Sequence, residues 1–343
     1  MRFLVCLALA GCVACADERL IAGTPQVVCE ESRDITLTRH NSRRLDGIVA
    51  RPDGASVFYV DERQFARTDL GVDGAMEAGP FFLGDQNAFL EPQFLPDSPG
   101  FTVAFTRRLV AETEVFLARI EDEVVDERQF VNADLPSSQP QLEDRAGTRW
   151  LAWKEGANLS VGRVGRDGLE RTADVAIPMT VSVPLSSAII DDRLYVLVER
   201  DGMAEVERFD ESGIHLGSGA VVASTVAELF VDDSGPLIAF GTAEAIELVQ
   251  LVDGFLGEPV GRIPVTAPPR TLRLARSSGE PRILAWIDTD NVAWLAFDGV
   301  AEPRRVSADA GNRIELHPVP GGVLAAFEVE EPRSIRVRSI CRP

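Results

Sequence analysis

Positive charge is scarce in this chain, and lysine is almost absent. The 343 residues include 34 basic side chains against 54 acidic ones, which gives a formal net charge of −20. Lys154 is the single lysine. Nucleic-acid phosphates and anionic membrane surfaces both attract clustered Lys and Arg. The charge balance therefore argues against both partners, and we expect contact with a membrane only through a lipid anchor.

The sequence also lacks the common signatures of catalysis and of metal binding. Its three histidines, His40, His215 and His317, are far apart in the sequence, and no HExxH-like pair is present. There is no GxSxG elbow, no GxxxxGK[ST] loop and no GxGxxG after a strand. We therefore predict no cofactor, apart from a weak indication of Ca²⁺ that is described below.

Short apolar runs recur in the chain at a nearly constant interval of about 40 to 50 residues. The seven runs are Val57–Val60, Thr102–Phe105, Trp150–Trp153, Leu194–Leu197, Leu237–Phe240, Ile283–Trp286 and Leu324–Phe327. Several short strands in each repeat of this length are the signature of a β-propeller. We predict an all-β fold, a single seven-bladed β-propeller over residues 34–343, in which each run is the second strand of a four-stranded blade.

The first repeat carries a more specific motif. The stretch Arg51–Val60 reads RPDGASVFYV and resembles the Pro-Asp-Gly repeat of TolB-type and related WD-like propellers. In those families the Pro-Asp-Gly forms the turn between the first and second strands of a blade, and most members bind proteins or ligands. The resemblance implies a propeller with a binding role, but it transfers no functional residue to this chain.

The seventh repeat is one strand short, which predicts how the ring closes. Its last strand is at Ser334–Ile340, and Asp34–Thr38 reads as a strand that precedes the first repeat. We predict that these segments pair, so that the first strand of the propeller completes the last blade. Cys29 and Cys341 would then lie where a tight turn normally joins two strands, and a disulfide between them would replace that turn. Two free thiols are the alternative.

The N-terminal residues read as an export signal. Residues 3–10 form an apolar run that is too short to span a bilayer. The next stretch, Leu9-Ala10-Gly11-Cys12, resembles the lipobox of bacterial lipoproteins, which implies a lipid on Cys12 and a place in the bacterial cell envelope. Secretion as a soluble protein after cleavage at Ala16 is the alternative. We divide the chain into an export segment (1–16), a tether (17–33) and the propeller (34–343).

Acidic residues are concentrated in the connections between the second and third strands of the blades. All these connections emerge on one face of a propeller, where they would create a negative potential. The candidate ligand-binding residues on this face are Asp61, Glu199, Asp288, Asp290 and Glu328. A solvated rim on an already acidic protein is the first interpretation of this face, and recognition of a cationic ligand or a protein partner is the alternative. Asp288 and Asp290 also offer closely spaced oxygens of the kind that Ca²⁺ prefers.

A binding role is the function that these features favour. We expect a monomeric propeller that binds a ligand or a protein, or acts as a scaffold, and we assign no catalytic residue. The alternative is a hydrolase or lyase acting on an extracellular glycan or lactone, which would need carboxylates that converge on the central channel. The predicted innermost strands carry mostly Leu, Ile, Val and Ala, with Glu143, Glu228 and Glu315 as exceptions, which disfavours the enzyme.

Overall fold

A computed structural model describes most of the chain as β-strands. The described residues are 29, 31, 34–38, 44–85, 89–97, 100–109, 112–121, 124–129, 135–145, 148–165, 168–175, 184–276, 279–300 and 302–343. The export segment with Cys12, most of the tether and His40 lie outside them. Within these ranges every regular element is a strand. In the same ranges, no helix is long and apolar enough to cross a membrane.

The strands form seven antiparallel sheets of four strands each. The first strand, β1 (Ile35–Thr36), belongs to the last sheet. Blade 1 contains β2 (Arg44–Arg51), β3 (Gly54–Asp61), β4 (Gln64–Gly71) and β5 (Met76–Asp85); blade 2 contains β6 (Leu90–Pro96), β7 (Phe101–Arg108), β8 (Thr113–Glu121) and β9 (Val124–Gln129). Blade 3 contains β10 (Ser137–Arg145), β11 (Thr148–Glu155), β12 (Asn158–Gly165) and β13 (Gly168–Val175). Blade 4 contains β14 (Pro184–Ile190), β15 (Arg193–Arg200), β16 (Met203–Phe209) and β17 (His215–Val222).

The other three blades follow the same order. Blade 5 contains β18 (Ala227–Asp232), β19 (Gly235–Gly241), β20 (Ala245–Val252) and β21 (Phe255–Pro264). Blade 6 contains β22 (Pro269–Ala275), β23 (Ile283–Asp288), β24 (Ala293–Phe297) and β25 (Arg304–Ser307). Blade 7 contains β26 (Ala310–Val319), β27 (Gly322–Val329), β28 (Ser334–Cys341) and β1. Because the first strand of each blade contacts the first strand of both neighbouring blades, with β2 contacting β26, the seven sheets form a closed ring. The prediction of a seven-bladed β-propeller is confirmed.

The hydrophobic core lies between the blades. Each of the seven blade interfaces holds one cluster of buried apolar side chains. Alternate residues of a second strand point to opposite faces of its sheet, so Val57 and Tyr59 pack toward blade 7 while Phe58 and Val60 pack toward blade 2. Both faces of each second strand are therefore buried, which explains why the seven runs are apolar throughout.

The glycine of the Pro-Asp-Gly motif has a steric role. Gly54 begins β3, and a Cβ at this position would overlap the carbonyl oxygen of Leu70 in β4. The two strands pair tightly at this end, with Gly54 opposite both Arg51 and Gly71. Glycine is needed here because of the close approach of the third strand, in agreement with the predicted turn between the first two strands.

The ring closes as predicted in blade 7. Ile35 pairs with Val337 and Thr36 with Arg336, so β1 is the outer strand beside β28. The amide of Leu37 adds a hydrogen bond of 3.0 Å to the carbonyl of Ile335. Cys29 and Cys341 form a disulfide with their Cα atoms 5.6 Å apart. The disulfide and the added strand together hold the two ends of the ring in one sheet.

Candidate functional site in the central channel

A ring of polar side chains lines the channel at one level. The third residue of each apolar run pairs with a residue of the innermost strand, and in six blades that partner is polar. The pairs are Gln93–Ala104, Gln141–Ala152, Ser187–Val196, Glu228–Ala239, Arg273–Ala285 and Glu315–Ala326. In blade 1 the third residue, Tyr59, pairs with Leu45, and the register shifts there, with Asp46 as the next residue of the strand. The channel is thus polar where the composition of the strands predicted an apolar one.

The apolar residues of the innermost strands point elsewhere, which explains the difference. Leu142, Leu229 and Leu274 alternate with the polar positions and are buried against the preceding blade. Side chains on a strand alternate between two faces. The apolar majority in these strands therefore belongs to the blade interfaces, and the few polar residues line the channel.

The polar ring borders a cavity of about 610 Å³. Glu143, two residues beyond Gln141 on β10, also lines it, as do Asp232 and Asp233 at the turn between the first two strands of blade 5. The cavity therefore extends from the ring toward the face that carries these turns. Its volume is in the range of pockets that hold small organic ligands.

Hydrogen bonds between neighbouring blades connect the lining residues. Ser187 donates to Glu143 at 3.0 Å, the amide of Leu229 donates to Ser186 at 2.9 Å, and the amide of Leu274 donates to Glu228 at 2.6 Å. The Nη2 of Arg313 donates to the carbonyl oxygen of Asp46 at 2.7 Å. Together with an ion pair between blades 6 and 7, these contacts link the innermost strands from blade 3 to blade 1. The cavity is therefore preformed.

Glu143 is the most perturbed carboxyl of the channel. Burial raises its pKa from 4.5 to about 8, and the hydrogen bond from Ser187 lowers it only in part. The side chain is half-buried because one side borders the cavity. Within the described part of the chain, no basic side chain lies within ion-pair distance of Glu143, which explains why it keeps its proton at neutral pH.

Glu228 is the second perturbed carboxyl. Burial raises its pKa from 4.5 to about 7, and the nearby charge of Glu315 raises it as well. Arg273 and the amide of Leu274 act in the opposite direction but do not compensate. A perturbed carboxyl at the wall of a cavity is a frequent property of functional sites.

The opposite sector of the channel is basic. Arg273 of β22 and Arg313 of β26 share the carboxylate of Glu315, with N–O distances of 3.2 and 2.6 Å. Burial raises the pKa of Glu315, but the two guanidinium groups outweigh it and hold the pKa below its usual value. Two guanidinium groups therefore share this carboxylate, and the charges of Glu228 and Asp46 act on Arg273 and Arg313 as well.

Asp46 links the first blade to the last, because its carbonyl oxygen accepts the hydrogen bond from Arg313. Its side chain is fully buried and forms an ion pair of 2.5 Å with Arg44. Burial raises the pKa of Asp46 from 3.8 to about 6, although Arg44 and Arg313 lower it. The arrangement connects the channel network to the blade interface where the ring closes.

The candidates predicted from the sequence lie at the ends of second strands and do not line this cavity. Asp288 is buried, and its carboxylate accepts bonds from the amides of Asp290 and Val292, both at 2.9 Å, and from the indole of Trp294 at 2.8 Å. Glu328 accepts the amide of Leu45 at 2.8 Å and an amide of its own blade at 2.9 Å. Both carboxylates therefore have clear structural roles.

The other three candidates are more accessible. Asp61 and Glu199 are half-buried near the ends of β3 and β15, and Asp290 is exposed in the turn after β23. Among the residues that the structure describes, no group of three or more His, Cys, Asp or Glu side chains could hold a metal ion. Binding of a partner or of Ca²⁺ at this face stays a prediction.

Sequence reasoning singled out the three glutamates of the channel but missed Arg273, Arg313 and Ser187. A signal for Arg273 and Ser187 was available, because these residues pair with the third position of the apolar runs in their blades. An alignment of the seven repeats on that position would have identified the residues of the polar ring. Arg313 has no such signal, since it lies beside a register irregularity of β26 between Ala310 and Ile314.

The fold and the channel define the class of protein as a seven-bladed β-propeller with a polar central cavity. A comparison with protein-family models found no match, and neither did a comparison with curated proteins. The sequence comparisons therefore give no support to a TolB-type family or to a lipobox. Similarity to solved structures is wide, with 542 chains, so the fold does not point to one activity.

Three of these structures are given as examples of the proteins that share the fold. The structure of BBS1N in complex with ARL6DN has a TM-score of 0.61 and 9% identity, covering 92% of this chain and 97% of that one. A putative 6-phosphogluconolactonase (BF1038) from Bacteroides fragilis has a TM-score of 0.51 and 11% identity, covering 83% and 89%. A prolyl endopeptidase has a TM-score of 0.46 and 12% identity over 83% of this chain, which spans only 46% of that enzyme. At these identities the similarity shows the propeller fold alone.

Proposed function

We propose that the protein is an exported β-propeller that binds a small ligand in its central channel, with a cationic group of the ligand between Glu143 and Glu228. One observation carries the proposal: both carboxyls line a preformed cavity of about 610 Å³, and among the described residues neither forms an ion pair with a basic side chain, although the charge of Arg273 acts on Glu228. The proposal moves the expected cationic ligand from the face with the acidic connections into the channel.

Other carboxyls of the cavity wall form ion pairs with arginines, and this difference from Glu143 and Glu228 supports a cationic ligand. Asp144 is paired with Arg149 at 2.6 Å, Asp232 with Arg282 at 2.7 Å, and Glu315 with two arginines. Burying an isolated carboxylate is unfavourable, so an unpaired one takes up a proton. A bound ammonium or guanidinium group would replace that proton and supply the missing positive charge.

Isothermal titration calorimetry with cadaverine and agmatine, both simple cationic probes, tests the proposal. Each carboxyl must release its proton to hold the cation, so between pH 6 and 8 affinity should rise by up to about tenfold per pH unit for each carboxyl that is still protonated. Glu143→Gln should weaken binding and remove the pH dependence that Glu143 contributes, leaving only that of Glu228. Glu258→Gln, at an exposed position outside the channel, is the matched control. Absence of binding, or equal binding to Glu143→Gln, would contradict the proposal.

Export and anchoring form a separate part of the proposal. The disulfide between Cys29 and Cys341 supports an oxidising compartment, because such bonds are rare in the cytosol. We propose that Cys12 carries the lipid. Expression of Cys12→Ser in a bacterial host should move the protein from the membrane fraction to the soluble exported fraction. If the wild-type protein is already soluble after export, secretion without an anchor is correct.

A hydrolase or lyase acting on a glycan or lactone is the second candidate function. It is favoured by the presence of two carboxyls of raised pKa, Glu143 and Glu228, on the wall of one cavity. Such a pair suits a general acid and a general base. Nitrophenyl glycosides and gluconolactone are suitable first substrates. Turnover that disappears in both Glu143→Gln and Glu228→Gln would support the enzyme, and binding without turnover of these substrates would favour the first proposal.

A further inference from the structure

The basic sector of the channel has hydrogen-bond donors that the protein does not use. Arg273 donates its Nε to Glu315 at 3.2 Å and its Nη1 to the carbonyl of Leu272 at 3.0 Å. Arg313 donates its Nε to Glu315 at 2.6 Å and its Nη2 to the carbonyl of Asp46 at 2.7 Å. In the described part of the chain, the Nη2 of Arg273 and the Nη1 of Arg313 have no protein partner. Both side chains line the cavity.

These donors are accessible from the cavity. The side chain of Arg273 is 36% exposed and that of Arg313 is 25% exposed. The two guanidinium groups share the carboxylate of Glu315, and each keeps an N–H edge that no described residue accepts. Guanidinium groups with free N–H edges bind carboxylates strongly and with defined geometry.

We propose that the ligand of the channel is zwitterionic, with a carboxylate on Arg273 and Arg313 and a cationic group on Glu143 and Glu228. The proposal rests on the proposed function, because it assumes that the cation is bound by the two glutamates. It adds that the same molecule carries an anionic group, as free amino acids and short peptides do.

The order of the blades supports a ligand with two charged ends. Glu143 lies in blade 3, Glu228 in blade 5, Arg273 in blade 6 and Arg313 in blade 7, so the acidic and basic groups occupy different sectors of one cavity. A ligand with only a cation would leave the free N–H edges of Arg273 and Arg313 without an acceptor. A ligand with only a carboxylate would leave the two glutamates without a basic partner. A zwitterion satisfies both sectors.

Two pairs of probes isolate the carboxylate. Agmatine is arginine without its carboxylate, and cadaverine is lysine without its carboxylate. Calorimetric titration of the full-length protein at one pH should show at least about tenfold tighter binding of each amino acid than of its decarboxylated partner. In Arg273→Gln and in Arg313→Gln this preference should fall toward parity. Thermal denaturation of each variant verifies that it is folded, and Arg273→Lys serves if the glutamine variant is not.

The possible outcomes distinguish a failure of the zwitterion proposal from a failure of the cation site. Binding of agmatine equal to or tighter than that of arginine overturns the zwitterion and leaves the cation site intact. A preference for arginine that survives in both arginine variants overturns the assignment of the carboxylate to Arg273 and Arg313. Failure of all four probes to bind overturns both proposals.

Discussion

Replacement of Glu143 by glutamine should make the protein more stable, and the gain should grow as the pH rises from about 4.5 to about 8. Glutamine keeps the shape of the side chain and can still bond to Ser187, but it cannot ionise. The wild-type residue must ionise in a buried position once the pH exceeds its pKa of about 8. The variant therefore removes an unfavourable charge and leaves the packing in place.

The sign and the size follow from the two pKa values. The folded state holds the proton up to about pH 8, whereas the unfolded chain releases it near pH 4.5. Stability therefore falls as the pH rises through this window, and it changes no further above it. A full shift of about 3.5 units corresponds to about 5 kcal/mol. Because the side chain borders a water-accessible cavity, screening lowers the expected effect to about 2 kcal/mol.

Urea denaturation at pH 5, 7 and 9 measures the effect. The gain in unfolding free energy of Glu143→Gln over wild type should be near zero at pH 5 and should reach about 2 kcal/mol at pH 9. Glu258→Gln, on the exposed outer strand of blade 5, should show no such trend. A variant that is less stable than wild type at pH 9, or a difference that does not depend on pH, would refute the reasoning.

Three other substitutions test separate parts of the structure. Cys29→Ser should lower the unfolding free energy by up to about 5 kcal/mol, because the disulfide closes a loop with a sequence separation of 312. In the presence of a reductant, the variant and the wild-type protein should be equally stable. Gly54→Ala should lower the unfolding free energy by about 2 kcal/mol or more, since the added Cβ would overlap the carbonyl oxygen of Leu70. Urea denaturation measures this loss, and a variant as stable as wild type would contradict the close approach of the two strands. Glu315→Gln should lose about 2 kcal/mol at pH 7 because it leaves two guanidinium groups unpaired. The pKa of Glu315 is lowered in the folded state, so this deficit should shrink as the pH falls below the ordinary pKa of 4.5, and a deficit that persists in acid would contradict the ion-pair explanation.

The fold could be predicted from the sequence because its signal is repeated seven times. Second strands are buried on both faces, so each leaves a continuous apolar run such as Trp150–Trp153, whose two tryptophans are fully buried. The closing strand could be predicted as well, because blade 7 lacked a strand and Cys29 and Cys341 had no other partner in the folded part. Strong and local signals of this kind specify the architecture.

The channel site could be predicted only in part, because its residues are single positions in otherwise apolar strands. Glu143, Glu228 and Glu315 were visible as exceptions, but their number alone gave no reason to expect a cavity. The acidic residues of the connections were more conspicuous, yet two of them have structural roles: Asp288 caps a turn and Glu328 bonds to the neighbouring blade. Composition reports where charge is abundant, whereas a binding site depends on which charges lack a partner.

Glu143 shows this difference most clearly. Buried polar groups in a stable fold are normally paired, as Asp144, Asp232 and Glu315 are in the cavity wall. Among the described residues Glu143 has only a serine hydroxyl as its partner, and its raised pKa lowers the stability of the fold as the pH rises. Glutamine at this position would preserve the contact without that loss, so packing does not explain a glutamate. Positions where a sequence gives up stability without structural compensation are expected at functional sites. The conflict at Glu143 is therefore itself an argument that the channel binds something that the folded chain does not contain.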